Sequence, residues 1–321
     1  MELAVTQDQF RLAQPFTISR GSRTEARVLA VTVRDKGHVG HGECVPYARY
    51  GETMETVTDQ ITALPAEFGR EALQELLPPG AARNAVDCAL WDLEAKQAGK
   101  RAWDIVGLGA PVPVLTAYTL SLDSPDKMEQ AARDNAHRPL LKIKLGTPDD
   151  MPRLEAVRRG APTARIIVDA NEGWDAETYS DLAPHLERLG VSLVEQPLPA
   201  GEDDALLGLK RPVPICADES CHDRKSLPTL AGKYDLINIK LDKAGGLTEA
   251  LAMREMGQAQ GFDIMIGCMV GTSLAMAPAV ILAQKAAITD LDGPLLLAED
   301  RAHPLVYDRQ GVHPPEAALW G

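Results

Sequence analysis

The chain has 321 residues, 45% apolar and 25% charged, enough to bury a sizeable core without disulfides or a structural metal. Its formal net charge of −13 argues against nucleic acid and anionic membrane as partners, although a few local cations can still hold a small anion in one cleft. The N-terminal MELAVTQDQFRL carries an acid at position 2 and no apolar run, no stretch approaches a membrane span, and the five scattered cysteines form no CxxC; a cytoplasmic protein with reduced thiols is expected.

In chain order, Ser19–Glu25 (SRGSRTE) reads as a polar loop, Arg27–Val33 as a strand rich in β-branched residues, and Gly37–Glu43 as a glycine-rich turn. The segment Ala81–Lys96 sets Ala82, Val86, Ala89, Leu90 and Leu93 on one face of a helix closed by Gly99. The rhythm then changes. Short apolar runs follow at Val112–Thr119, Leu140–Leu145, Arg165–Asp169, Ser192–Glu195, Val213–Ala217, Leu236–Lys240, Asp263–Gly267 and Ala287–Asp290. Most are separated by helix-period segments such as Met151–Arg159 and Ala176–Leu189. Eight strands alternating with helices predict an α/β fold built on a parallel barrel.

Polar residues punctuate that rhythm. Lys144, Asp169, Glu195, Asp218 and Lys240 close successive strands at intervals of 25, 26, 23 and 22 residues, each about one βα unit. In a barrel those ends converge on one mouth. A single charge at a strand end is commonly a solvated loop residue. Three acids in the same setting, IIVDAN, LVEQP and ICADES, are harder to explain that way. Lys142 and Lys144 alternate along LKIKL and so share a strand face. Three carboxylates between two lysines suit removal of a proton next to a carboxylate. A hard divalent cation offsets the charge that develops, and oxygen-only donors favour Mg²⁺ or Mn²⁺ over zinc. Two lysines on opposite faces of one carbon permit racemisation or epimerisation. Each must be a neutral amine to take a proton, so burial, the metal and the neighbouring Lys142 are expected to push these lysines down. Lys243 is a rival base, His222 reads as a surface-loop residue, and Asn171, Gln196 and Glu219 sit beside the acids as candidate orienters.

The motifs KIK (142–144), DAN (169–171), EQP (195–197), ADES (217–220) and NIKLDKAGG (238–246) resemble the muconate-lactonising branch of the enolase superfamily, and ARNAVDCALWDLEAKQAG (82–99) resembles its capping-domain helix. The resemblance implies a modified (β/α)7β barrel over 111–294 and an N-terminal α+β capping domain over 1–110, joined by a C-terminal segment, 295–321. It implies Asp169, Glu195 and Asp218 as ligands of one Mg²⁺, with Mn²⁺ as substitute, and Lys144 and Lys240, not Lys243, as the bases.

Asp290 and Asp292, in Asp-Leu-Asp-Gly-Pro, resemble the DxD motif of the dipeptide epimerases, where two carboxylates hold a substrate ammonium. Arg23 falls in the family's cap loop, suited to a side-chain carboxylate. Cys268 and Val270 follow the seventh strand, and Thr119 and Lys142 fall where that group contacts substrate. The implied reaction is epimerisation of L-Ala-D-Glu to L-Ala-L-Glu in murein peptide recycling, with a small-molecule dipeptide as partner and a homo-oligomer left open. An N-acylamino acid racemase, an o-succinylbenzoate synthase and a non-catalytic binding barrel are the alternatives.

Overall fold

The computed structural model describes residues 1–321. An antiparallel sheet opens the chain: β1 (Glu2–Ile18), β2 (Gly21–Asp35) and β3 (His38–Cys44). The β1–β2 pairing extends to Ile18 opposite Gly21, so the polar segment expected to be a loop is strand from Gly21 onward, with only residues 19–20 forming the turn. That ribbon is largely exposed, and a strand without a buried face shows no apolar alternation to read.

The glycine-rich segment is likewise a strand. A Cβ on Gly40 or Gly42 would collide with the carbonyl oxygen of Ala89 or Ala85, so these glycines admit a helix backbone onto the sheet. After α1 (Met54–Thr62) and α2 (Arg70–Leu76), that helix is α3 (Ala81–Ala98), ended by Gly99 in the left-handed conformation (φ 61°). Ala82, Val86, Ala89, Leu90 and Leu93 pack on the cap sheet, as expected, while Cys88, Trp91 and Ala95 face the barrel core.

Past α4 (Ala102–Val106) comes the barrel: β4 (Tyr118–Leu120), α5 (Pro125–Asp134), β5 (Leu140–Lys144), α6 (Asp150–Gly160), β6 (Arg165–Asp169), α7 (Ala176–Arg188), β7 (Val191–Glu195), β8 (Ile215–Ala217), α8 (Leu227–Leu230), β9 (Leu236–Lys240), α9 (Leu241–Ala244), α10 (Leu247–Ala259), β10 (Asp263–Gly267), α11 (Ser273–Leu282) and β11 (Ile288–Thr289). All neighbours pair in parallel from β4 to β11, and Ala117 N–H donates to Thr289 O at 2.8 Å across the seam. The modified (β/α)7β architecture is therefore present, with a 3₁₀ turn at Asp203–Leu207 as the β7–β8 crossover.

The first expected strand is shortened. Pro111 and Pro113 cannot donate to a ladder, and Val114 instead bridges Val312 in the returning C-terminal segment. Inside the barrel, Ala117, Leu140, Ile167, Leu193, Cys216, Leu236, Met265 and Ile288 form an apolar plug, the floor on which the polar strand ends stand. No helix is long and apolar enough to cross a membrane.

Candidate active site

Parallel register carries the chemistry to one rim. Lys144 pairs with Asp169 and Asp169 with Glu195 on adjacent strands, and Asp218 immediately follows β8. One oxygen from each of Asp169, Glu195 and Asp218 lies within 4.8 Å of the others, and all three residues are buried. Burial without a counter-charge is costly, and lysines supply it. Lys144 Nζ donates to Asp169 Oδ2 (2.6 Å), Lys240 Nζ to Asp218 Oδ2 (2.6 Å), and Lys142 Nζ lies 3.1 Å from Asp169 Oδ2 and 2.7 Å from Asp290 Oδ2.

Glu195 is held differently. Asn238 Nδ2 donates to its Oε1 at 2.7 Å, whereas its Oε2 stands 2.7 Å from Lys142 Nζ but outside hydrogen-bonding geometry and accepts no hydrogen bond. A buried, unsatisfied carboxylate oxygen beside two further carboxylates suits a hard cation with oxygen ligands. Burial favours the neutral form of all three acids, and the nearby charges decide the net direction at each. Lys144 and Lys142 outweigh it at Asp169, Lys240 and Lys243 outweigh it at Asp218, and both carboxyls fall below the usual range. At Glu195, burial and the Asp169 charge win, and the carboxyl is pushed up to about 7.

The lysines depart from expectation. Burial does work to lower Lys240, but Asp218 and Glu195 outweigh it and leave the ammonium well above its ordinary range, with Lys142 only a lesser opposing influence. Lys142 is raised in the same way against burial, by Asp290, Glu195 and Asp169. Lys243 is not at the cavity. It lies fully buried in α9, where its Nζ donates to the carboxylate and carbonyl of Asp218 and to Asn238 O (3.1 Å). His222 lies in a loop, as expected, but is half-buried there and meets Tyr50 edge-on at 4.8 Å.

A cavity of about 770 Å³, counted to its open mouth, stands over these groups. Lys144 and Lys240 both line it from strands four apart in the eight-strand order, hence across the mouth from each other. Residues 1–107 match the mandelate racemase / muconate lactonizing enzyme N-terminal domain, and residues 126–318 match the enolase C-terminal domain-like family. The chain belongs to the mandelate racemase / muconate lactonizing enzyme family.

Two relatives within that family are close over nearly their whole length. The L-Ala-D/L-Glu epimerase of Escherichia coli strain K12 is 46% identical, covering 96% of this chain and 98% of its own. The N-acetyl-D-glutamate racemase of a Pseudoalteromonas species is 47% identical, covering 92% and 95%. Among solved structures, an enolase family member from Agrobacterium tumefaciens with homology to dipeptide epimerases, holding sodium and L-Ala-L-Glu with an ordered loop, is 56% identical; it covers 99% of both chains at a TM-score of 0.97.

In the present chain, Arg23, Thr119, Lys142, Cys268, Val270, Asp290 and Asp292 all line the cavity. Asp290 gives Oδ2 to Lys142 and keeps a buried Oδ1 without a partner. Asp292 accepts the Thr119 N–H at 2.6 Å, and burial with the Asp290 charge pushes its carboxyl up to about 6. The Arg23 guanidinium lies over the Tyr47 ring at 4.9 Å.

Gln196 orients the rim, accepting from the backbone N–H groups of Asp218 (2.9 Å) and Ser220 (3.1 Å). Asn171, Glu172 and Gln196 have left-handed backbones (φ 45°, 66° and 35°), a concentration of strain at the functional rim. Sequence reasoning missed Asn238 and Arg20. Asn238 shares a strand face with Lys240, a signal that was readable. Arg20 contacts residues some 150 to 200 positions away, and no local pattern announces that.

Proposed function

We propose that the protein interconverts L-Ala-D-Glu and L-Ala-L-Glu by removing the glutamyl α-proton from one face and returning one to the other. The observation that carries this reading is the pair Lys144 and Lys240, facing one cavity from strands four apart, each anchored on a different member of the acid triad. Transfer between faces needs one neutral amine and one ammonium at a time, and reversing the direction exchanges their states. Asp169, Glu195 and Asp218 are the ligand set for Mg²⁺, with Mn²⁺ as substitute. Bound there, the cation would supply positive charge next to the reacting carboxylate and would oppose the carboxylates that hold Lys240 above its ordinary range.

The remaining residues orient the substrate. Asp290, with a free oxygen, and Asp292, steadied by Thr119, receive the dipeptide ammonium. Lys142 faces the reacting carboxylate, Arg23 receives the glutamyl side chain, and the segment carrying Cys268 and Val270 lines the dipeptide backbone. The biological setting of this reading is cytoplasmic recycling of murein peptide.

N-acetylglutamate is the second reading, favoured by the Pseudoalteromonas relative. It offers the same α-carbon but no ammonium, and so brings no cation to the free oxygen of Asp290 or to Asp292. The test is α-deuterium incorporation in deuterated water, read by mass spectrometry with the dipeptide and N-acetylglutamate side by side. Faster exchange with the dipeptide supports epimerisation, and faster exchange with N-acetylglutamate replaces it by an acylamino acid racemase. Chelation by EDTA should abolish turnover and Mg²⁺ restore it; full activity in metal-free protein would sink the ligand assignment.

A further inference from the structure

Arg20 sits at the tip of the β1–β2 hairpin and spends its guanidinium on the barrel rim. Its Nη2 donates to Glu219 Oε1 (2.8 Å) and lies 3.3 Å from the Tyr47 hydroxyl; its Nη1 donates to Asn171 O (2.8 Å) and Glu172 Oε2 (3.2 Å). Ser19 Oγ adds a second bond to Asn171 O at 3.0 Å. The approach relies on Gly146, where a Cβ would meet that of Ser19 at 2.8 Å and the backbone is left-handed. Glu219 is buried and follows the acid Asp218, and its ion-pair partner is Arg20, with Asn171 Nδ2 donating to the same oxygen at 3.3 Å. The opposite edge of the hairpin is tied through Leu122 N–H to Thr17 O (3.0 Å). The Arg23 guanidinium, three residues on, makes no hydrogen bond or ion pair within the protein and rests on the Tyr47 ring.

We propose that Arg20 is a positioning residue, a latch that fastens the hairpin over the cavity mouth through Glu219 and Asn171 and thereby presents Phe16 and Arg23 to substrate. The two arginines divide the work: Arg20 serves every dipeptide alike, and Arg23 reads only an acidic second residue. The substrate half of this statement rests on the dipeptide reading above. The latch half does not. A charge-assisted contact of this kind contributes about 1.5–3 kcal/mol, roughly a ten- to hundred-fold shift in an equilibrium between fastened and free.

The test combines backbone hydrogen exchange over residues 14–25, with Mg²⁺ present, and steady-state kinetics on Ala-Glu and on a dipeptide with an apolar second residue. Arg20→Ala should speed exchange in the hairpin and raise KM for both dipeptides by a similar factor of ten or more, with a smaller change in kcat. Arg20→Lys, with one ammonium able to reach Glu219, should recover part of both. Arg23→Ala should leave hairpin exchange as in wild type and lose Ala-Glu turnover selectively. Wild-type exchange in Arg20→Ala overturns the latch. A loss confined to Ala-Glu overturns the division and makes Arg20 the side-chain reader. Faster exchange in Arg20→Ala, with neither dipeptide turned over by wild type, keeps the latch and rejects the dipeptide reading instead.

Discussion

Lys144 and Lys240 have unequal surroundings. Asp218, which anchors Lys240, is also gripped by the fully buried Lys243, whereas Asp169, which anchors Lys144, is shared with Lys142 at 3.1 Å, and Lys144 has the Phe16 ring at 5.9 Å. Replacing either by alanine should stop epimerisation while leaving exchange of the one epimer whose α-proton faces the surviving lysine. Deuterium incorporation into each pure epimer checks this, and a Lys240→Ala enzyme epimerising at the wild-type rate would remove Lys240 from the mechanism. Asn238 allows a subtler experiment. A Cβ on Gly267 would lie 2.6 Å from Asn238 Oδ1, so Gly267→Ala must push Asn238 off Glu195. Partners that orient a ligand are worth about 10- to 100-fold in metal affinity. An Mg²⁺ titration should show a loss of that order, with activity restored by excess metal. Unchanged affinity would mean that Asn238 does not set the carboxylate.

At the scale of elements, legibility followed burial. The strands ending in Lys144, Asp169, Glu195 and Lys240 are readable because each is a short, mainly apolar run, almost wholly buried, that ends in a charge, β5 carrying Lys142 within it as well. The cap hairpin is not, because its polar residues face solvent, and β3 reads as a turn because its glycines serve α3, three elements further along. The short helix α9 shows how such distant elements are joined. Asp242 on α9 accepts from Val45 N–H beyond β3 (3.0 Å) and Asn84 Nδ2 of α3 (2.8 Å), and burial pushes its carboxyl up to about 7. A raised carboxyl favours the folded state only while protonated. That contribution is complete below the unfolded value near 3.8 and is lost as pH rises through about 7. Asp242→Asn keeps the acceptor and removes the titration, so stability should fall less between pH 4 and 8 than in wild type. Urea midpoints at both ends of that range decide it, and identical slopes would show that Asp242 does not titrate there. Asp87 and Glu195, raised to about 6 and about 7, should leave a residual slope.

At the scale of the molecule, cap and barrel share a helix. One face of α3 belongs to the cap core and another to the barrel core, and Arg83 of α3 donates to the carbonyls of Ala244 (2.8 Å) and Gly245 (3.1 Å) at the C-terminal end of α9. The chain's end closes the arrangement. Trp320 is fully buried, its indole N–H donates to Cys88 O at 3.0 Å, and Gly321 N–H reaches Asp92 Oδ1 at 2.7 Å. Unfolding should therefore be a single transition for both parts. Trp320→Ala, which empties a joint between them, should cost about 3–5 kcal/mol by urea denaturation; two separate transitions in wild type would contradict the shared core. The dual allegiance of α3 also governs how this scaffold can be rebuilt. A chimera exchanging the entire cap with a relative inherits a helix cut for someone else's barrel, and every mismatch falls in a dry core. The short ribbon between residues 14 and 25 touches that core hardly at all and leans on the rim through Ser19 and Arg20. If Arg23 reads the second residue as proposed, substrate preference is best transplanted as a dozen residues of exposed hairpin, leaving both cores as they are.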